Sequence, residues 1–239
     1  MLASAVEAAP HHKEHPLSHS VSRQTTNHVP EPVARVVDLM STFAPPWALC
    51  GGWAVDAWLG RQSRDHPDVD ISVFADDQRV VFDHLAGWQL VAHDLNKTHQ
   101  PWDGRHLDLP NHIQAHLDVE ELVAGRVDGA PEEGLILDIQ LDERQDADWI
   151  LRREPRISLP LVDCRRQSSW GAPTVVPEAL LFYKATAYFG VEEFKGRRAQ
   201  DEPDFVALLA RLTKRQRDWL REAISLVHPG HPWLAHVSP

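Results

Sequence analysis

Cysteine is nearly absent from this chain: Cys50 and Cys164 are the only two in 239 residues. Two cysteines build no disulfide framework, and a reducing compartment suits them. Cys50 lies in an apolar run, where a small core residue is expected rather than a nucleophile. Basic residues are also in deficit, 24 against 35 acidic ones, for a formal net charge of −11. That balance argues against the basic face of a duplex-binding protein, so nucleic acid is not an expected partner. A small cationic partner would be attracted, although the same acidity also serves solubility. Long apolar runs are missing too. The longest, Phe43 to Val55, is interrupted by Pro45 and Pro46 and is too short to span a bilayer. The start, MLASAVEAAPHHKEH, places Glu7 and Pro10 where a secretory signal needs an unbroken apolar segment. A cytoplasmic protein with no membrane partner is expected.

What is present is ordinary for a globular chain: 43% hydrophobic and 25% charged residues. The length suits one generous domain or two small ones. Residues 1–29 are rich in His, Ser, Thr, Pro and Ala without apolar period, and are expected to form a disordered tail. His11, His12 and His15 in it could bind a metal adventitiously; a solvated tail is the simpler reading.

Glu31-Pro32 opens a helix carrying Val33, Val36, Val37, Met40 and Phe43, stopped by Pro45-Pro46. Trp47 to Cys50 reads as a buried strand. Gly51-Gly52 turns the chain into a helix from Trp53 to Leu59, ended by Gly60. Asp68 to Phe74 alternates, with Val69, Ile71 and Val73 on one side and Asp68, Asp70 and Ser72 on the other. Asp76-Asp77 caps a helix with Val80, Val81 and Leu85. Trp88 to His93 reads as a strand, residues 94–112 as loop, and Ile113 to Val123 fits either strand or helix. Residues 128–134 read as a turn or loop.

Leu135 to Leu141 alternates again, with Asp138 opposite the aliphatic face. Trp149 to Arg152 and Ile157 to Leu161 read as strands. After Val162 helices dominate: one from Pro177, one from Pro203 with Val206, Leu209 and Ala210, and one capped by Thr213 with Leu220, Ala223, Ile224 and Val227. The fold class is therefore α/β (α+β): a mixed sheet flanked by helices over residues 30–162, then a helical region over 163–239.

The chemistry concentrates between Cys50 and Phe74. Alternation puts Asp68 and Asp70 on one face of one strand, and two such carboxylates repel unless a cation or proton intervenes. Mg²⁺ suits them: it is held by one or two carboxylates plus substrate phosphates. Paired ions about 4 Å apart would serve an in-line displacement. Asp138 is the best third carboxylate, because an unpaired Asp among large aliphatics is costly unless it faces a cleft. Asp118 and Asp108 are weaker candidates. Gly51 and Gly52, between a strand and a helix, offer backbone N–H groups and close approach to phosphate oxygens.

Gly51-Gly52-Trp53 followed by Arg64-x-His66-x-Asp68-x-Asp70 resembles the nucleotidyltransferase fold shared with DNA polymerase beta. Within it, the closest resemblance is to the aminoglycoside 2''-adenylyltransferase-like family. Softer agreements are Trp149-Ile-Leu-Arg-Arg-Glu-Pro-Arg156, Pro177-Glu178 before Tyr183-Lys184, Asp201-Glu-Pro-Asp-Phe205 and His231-Pro-Trp233. The resemblance spans roughly residues 30 to 236. It implies Mg²⁺-dependent transfer of a nucleoside monophosphate, AMP from ATP, to a hydroxyl of a small acceptor, with release of pyrophosphate. An aminoglycoside-like antibiotic is the family's precedent for that acceptor. Lincosamide, tRNA or protein acceptors, or an inactive nucleotide-binding domain, are the alternatives.

By position, the resemblance makes Asp68 and Asp70 metal ligands, Asp138 a ligand or general base, and Gly51 and Gly52 phosphate holders. Arg64 reads as a triphosphate contact or as the partner of a nearby acid. Lys184 reads as a triphosphate contact or an idle helix-surface lysine. His66 reads as a positioning residue or phosphate contact, and Asp204 as a partner of Lys184 or a tether of the helical half. Trp53 and Trp58 are expected in the core, and Glu192 and Glu193 in a solvated loop.

Overall fold

The computed structural model describes residues 28–94, 99–108, 112–116, 136–186 and 198–237. The expected tail as far as residue 27, the loop expected over 128–134, and Asp118, Glu192 and Glu193 lie outside the described residues. So does the end of the segment Ile113 to Val123.

The first half runs α1 (Glu31–Leu39), β1 (Trp47–Leu49), α2 (Gly51–Leu59), β2 (Val69–Phe74), α3 (Gln78–His84) and β3 (Gln89–His93). It continues with β4 (His99–Pro101), β5 (His112–His116), β6 (Ile136–Gln145), β7 (Asp148–Ile150) and β8 (Ser158–Pro160). Then come β9 (Arg165–Gln167), β10 (Pro173–Val175), α4 (Pro177–Thr186), α5 (Asp201–Leu209) and α6 (Lys214–Val227). The strands lie in the order β4-β3-β5-β6-β2-β1-β10-β9, with β7 joined to the far end of β6 and β8 to β7.

The sheet is mixed. β2 and β6 run parallel at its centre, and β1 also runs parallel to β10; the other pairs are antiparallel. Period-two alternation gives the central strands one apolar face. Val69, Ile71 and Val73 of β2, Leu137 and Ile139 of β6, Ile113 and Ala115 of β5, and Leu90 and Ala92 of β3 are buried there. The opposite face carries Asp70, Asp138, Gln140, Gln114, His112 and His93, which leaves it only half-buried.

Local sequence explains the helix bounds. Pro32 stands in the first turn of α1, where no intrahelical N–H bond is lost. Gly60 closes α2 in the left-handed conformation, φ 71°, and its N–H bonds to the Asp56 carbonyl. Thr213 opens α6 with a full capping box to Gln216.

Several expectations are corrected. His99–Pro101 pairs with β3 although residues 94–112 read as loop. All three residues of this edge strand are exposed, so it has no apolar period to read. The sheet also continues past Val162, because Cys164 and Val175 are buried while β9 and β10 extend the β1 edge. In α5 the buried apolar residues are Phe205 and Leu208, whereas Val206 is 61% exposed. The helix starts at Asp201 rather than Pro203, and its phase is set by Phe205 stacking on Trp233 at 4.1 Å between ring centroids. Val80 is likewise exposed, and Asp77 makes no side-chain cap bond at the start of α3.

Candidate functional site

Parallel pairing of β2 and β6 sets Asp70 directly beside Asp138. Asp68 stands just before β2 and shares the parity of Asp70. The Cys50 N–H donates to the Asp70 carbonyl at 2.9 Å, tying the start of α2 to the carboxylate strand. Gly51 follows with φ +62°, and a Cβ added there would stand 1.9 Å from Asp70 Oδ2. Only glycine permits that conformation and that approach. A Cβ on Gly52 would meet His66 Nδ1 at 2.4 Å and Arg64 Nη2 at 2.5 Å. The two glycines thus let a helix N-terminus and the acidic strand share one small space.

Charge is concentrated here. Burial, with help from Asp68 and Asp138, raises the Asp70 carboxyl to about 7. Burial and the Asp138 charge also push Asp68 upward. Asp138 Oδ1 is buried with no hydrogen-bond partner, and such an atom carries a desolvation cost until a cation or proton reaches it. Among the described residues, no three His, Cys, Asp or Glu side chains are gathered closely enough to hold a metal by themselves. The donor set nevertheless fits Mg²⁺, which takes one or two carboxylates and completes its shell with phosphate and water oxygens.

The turn between α2 and β2 is braced from inside. Asp56, fully buried on α2, accepts hydrogen bonds from Ser63 Oγ at 2.5 Å and pairs with His66 Nε2 at 2.8 Å. Burial pushes the Asp56 carboxyl up, but these two partners hold it below its ordinary value. His66 also packs on Trp53, ring centroids 4.3 Å apart. His66 therefore acts as a brace, and Trp53 is core. Trp58 is anchored to the Val175 carbonyl at 2.8 Å.

The helical half supplies a charge cluster. Lys184 on α4 is buried, with Nζ 3.2 Å from Asp201 Oδ1 and 2.7 Å from Asp204 Oδ2. The helix-surface setting considered for Lys184 is thereby corrected. Asp204 pairs with Lys184 as anticipated, and Arg64 Nη2 approaches the same carboxylate at 3.9 Å. Arg198 pairs with Asp201 at 3.3 Å. Arg198 and Lys184 both lie near enough to draw the Asp70 pKa back down.

Two features escape the sequence. Asp142, at the core end of β6, accepts from Ser72 Oγ and from Tyr183 Oη at 3.0 Å and pairs with Arg165 at 3.4 Å. It continues the Asp138 alternation, which was the available signal; its partners come from β2, β9 and α4. Arg198 stands in a charged segment with no apolar period, and no pattern marks it. Asp108 lies in a loop, lining a cleft with His106, Asp142 and Arg144.

Residues 32–115 match the model of the aminoglycoside-2''-adenylyltransferase family, so the resemblance read from the sequence stands on the stretch holding Gly51, Gly52, Asp68 and Asp70. Asp138 and Lys184 lie beyond it. A search of curated proteins by sequence gave no match. The chain is similar to the solution structure of the antibiotic-resistance factor ANT(2'')-Ia, with TM-score 0.54 and 13% identity over 87% of this chain and 96% of that one. It is also similar to ANT(2'')-Ia in complex with adenylyl-2''-tobramycin, with TM-score 0.52 and 13% identity over 81% of this chain and 95% of that one. The α+β fold is that of these proteins. No helix among the described residues is long and apolar enough to cross a membrane.

Proposed function

We propose that this chain is a Mg²⁺-dependent nucleotidyltransferase that moves AMP from ATP to a hydroxyl of a small acceptor of antibiotic type. The observation that carries the reading is the meeting of Asp70 with Asp138 across β2 and β6, with Gly51 pressed against the Asp70 carboxylate. The family match over residues 32–115 supports it, and aminoglycosides are the class of acceptor that the match suggests.

On this reading Asp68 and Asp70 hold the metal, which neutralises charge on the phosphates when bound. The Gly51 and Gly52 amides receive phosphate oxygens at the start of α2. Among the described residues, Arg64, Lys184 and Arg198 gather around Asp201 and Asp204, which places three cations on the triphosphate side. The acceptor oxygen attacks the α-phosphorus. A new O–P bond forms, the bond to pyrophosphate breaks, and the hydroxyl proton passes to the Asp138 carboxylate. The unpartnered Oδ1 of Asp138 suits that proton. Most of the rate then comes from alignment and charge neutralisation.

Incubation with ATP labelled at the α-phosphate, Mg²⁺ and an acceptor panel tests this. Labelled acceptor and equimolar pyrophosphate are expected, and both should vanish in Asp68→Asn. Unchanged turnover in that variant would reject the reading.

A further inference from the structure

If the chain transfers a nucleotide as proposed, triphosphate and acceptor must approach from opposite sides, because displacement at phosphorus runs in line. Gly51 and Gly52, directly after β1, hold the phosphate side. From there the sheet proceeds β1, β2, β6, β5, β3, β4. The acceptor therefore comes over β5, β3 and β4, on the face that presents Asp70 and Asp138.

Strand register names the residues on that ground. Gln114 stands beside Asp138, His112 beside Gln140, His93 beside His112, and His99 beside His93. The rings touch: His93 stacks on His112 with centroids 4.7 Å apart at 24°, and His99 meets it edge-on at 4.2 Å. His93 Nε2 is buried without a hydrogen-bond partner. Burial and the two neighbouring imidazoles hold the His93 pKa below its ordinary value, which favours the neutral ring.

Between Asp138 and the β4 edge, the described strand residues on this face include no carboxylate; they are histidines, glutamines, Val91 and Pro101. A site for a polycation would need carboxylates there to offset the lost hydration of each ammonium. A neutral imidazole instead offers one donor, one acceptor and an aromatic face, which match the hydroxyls and apolar ring face of a sugar. We infer that the β3–β4–β5 histidine face is the acceptor subsite, and that it takes an uncharged, hydroxyl-rich ring rather than a polycation. The inference rests on the proposed transfer but departs from the aminoglycosides that the family match suggests: it restricts the acceptor by charge, and His93, His99 and His112 set specificity.

Introducing acids on this face tests the inference without knowledge of the natural acceptor. Tobramycin is titrated calorimetrically as a polycationic probe into the full chain holding Mg²⁺ and a non-hydrolysable ATP analogue. Wild type should bind it only weakly, with a Kd of about 1 mM or above. His99→Glu with His112→Glu should tighten tobramycin at least tenfold, with the gain lost in high salt. His99 is exposed on an edge strand, so His99→Glu alone provides a variant with no buried change and a smaller gain. Binding of the ATP analogue should be the same in all three proteins. Micromolar tobramycin binding by wild type, falling steeply with salt, overturns the inference. Unaltered affinity in both variants overturns it as well. Failure of wild type to bind the ATP analogue would instead defeat the nucleotidyltransferase reading on which the inference stands.

Discussion

Asp70 and Asp138 are register partners on adjacent parallel strands, and the charge of Asp138 helps raise the Asp70 carboxyl to about 7, behind burial and Asp68. Neither residue has an Arg or Lys at ion-pair distance among the described residues, although Asp204, Asp142 and Asp56 all have cationic or imidazole partners. The pair is thus held without an ion-pair partner among the described residues, and Arg198 and Lys184 only partly offset its charge. If it serves transfer, Asp138→Asn removes the proton acceptor while preserving shape. Turnover should fall about a thousandfold, or about 4 kcal/mol in activation free energy. The KM for ATP should change much less. Initial rates of pyrophosphate release measure both, and a fall below tenfold would rule out Asp138 as the base.

The same crowding of buried carboxylates has a cost in stability. A folded-state pKa of about 7 for Asp70 exceeds the ordinary carboxylate value. Between about pH 4 and 7 the folded chain therefore keeps a proton that the unfolded chain has lost. Stability without metal should fall as pH rises through that window, by something on the order of 4 kcal/mol. Asp70→Asn should flatten this slope and raise the metal-free midpoint at pH 8 while abolishing transfer. Urea unfolding at pH 5 and pH 8 with a chelator reads it directly. Equal slopes in the two proteins would show that Asp70 does not carry the burden.

The carboxylate strands were legible because alternation fixes which side chains share a face. Asp68, Asp70 and Asp138 each stand opposite buried aliphatics, and only their adjacency needed the register. The histidine face was not legible. His93, His99 and His112 are scattered through stretches of mixed polarity, and β4 has no apolar period. Lys184 illustrates a different limit. Its helix is buried nearly all round, so no stripe distinguished an inward lysine from an outward one until Asp201 and Asp204 were placed against it.

Gly51 permits a sharper test of the phosphate side. A methyl group there would meet Asp70 Oδ2 at 1.9 Å, in a backbone conformation with φ +62°. Gly51→Ala should displace either the Asp70 carboxylate or the first turn of α2. A stability loss of about 1–3 kcal/mol is expected from the left-handed backbone alone. ATP affinity should drop in parallel, which calorimetry with a non-hydrolysable analogue would show. Gly171, also at positive φ but with nothing within 4 Å of an added Cβ, makes the control. Gly171→Ala should cost stability without loss of nucleotide affinity. Equal nucleotide affinity in both variants would remove Gly51 from the phosphate site.

Lys184 carries the most interwoven prediction, because it neutralises two buried acids and also acts on Asp70. Lys184→Met keeps the length and apolar stem but strands Asp201 and Asp204, of which Asp201 is fully buried and Asp204 nearly so. Removing one partner of a buried ion pair costs about 3–5 kcal/mol. Arg198 remains with Asp201 and Arg64 near Asp204, so the lower end of that range is expected. Adding Asp204→Asn removes one of the stranded charges and should recover part of the loss. A double-mutant cycle on unfolding free energy therefore separates the pairing from mere packing. The nucleotide readout decides the second role. If Lys184 contributes positive potential to the triphosphate, the KM for ATP in the double variant stays raised after stability has been partly restored. If ATP affinity returns together with stability, Lys184 is a tether between α4 and α5, and Arg64 and Arg198 are left as the cations of the phosphate side.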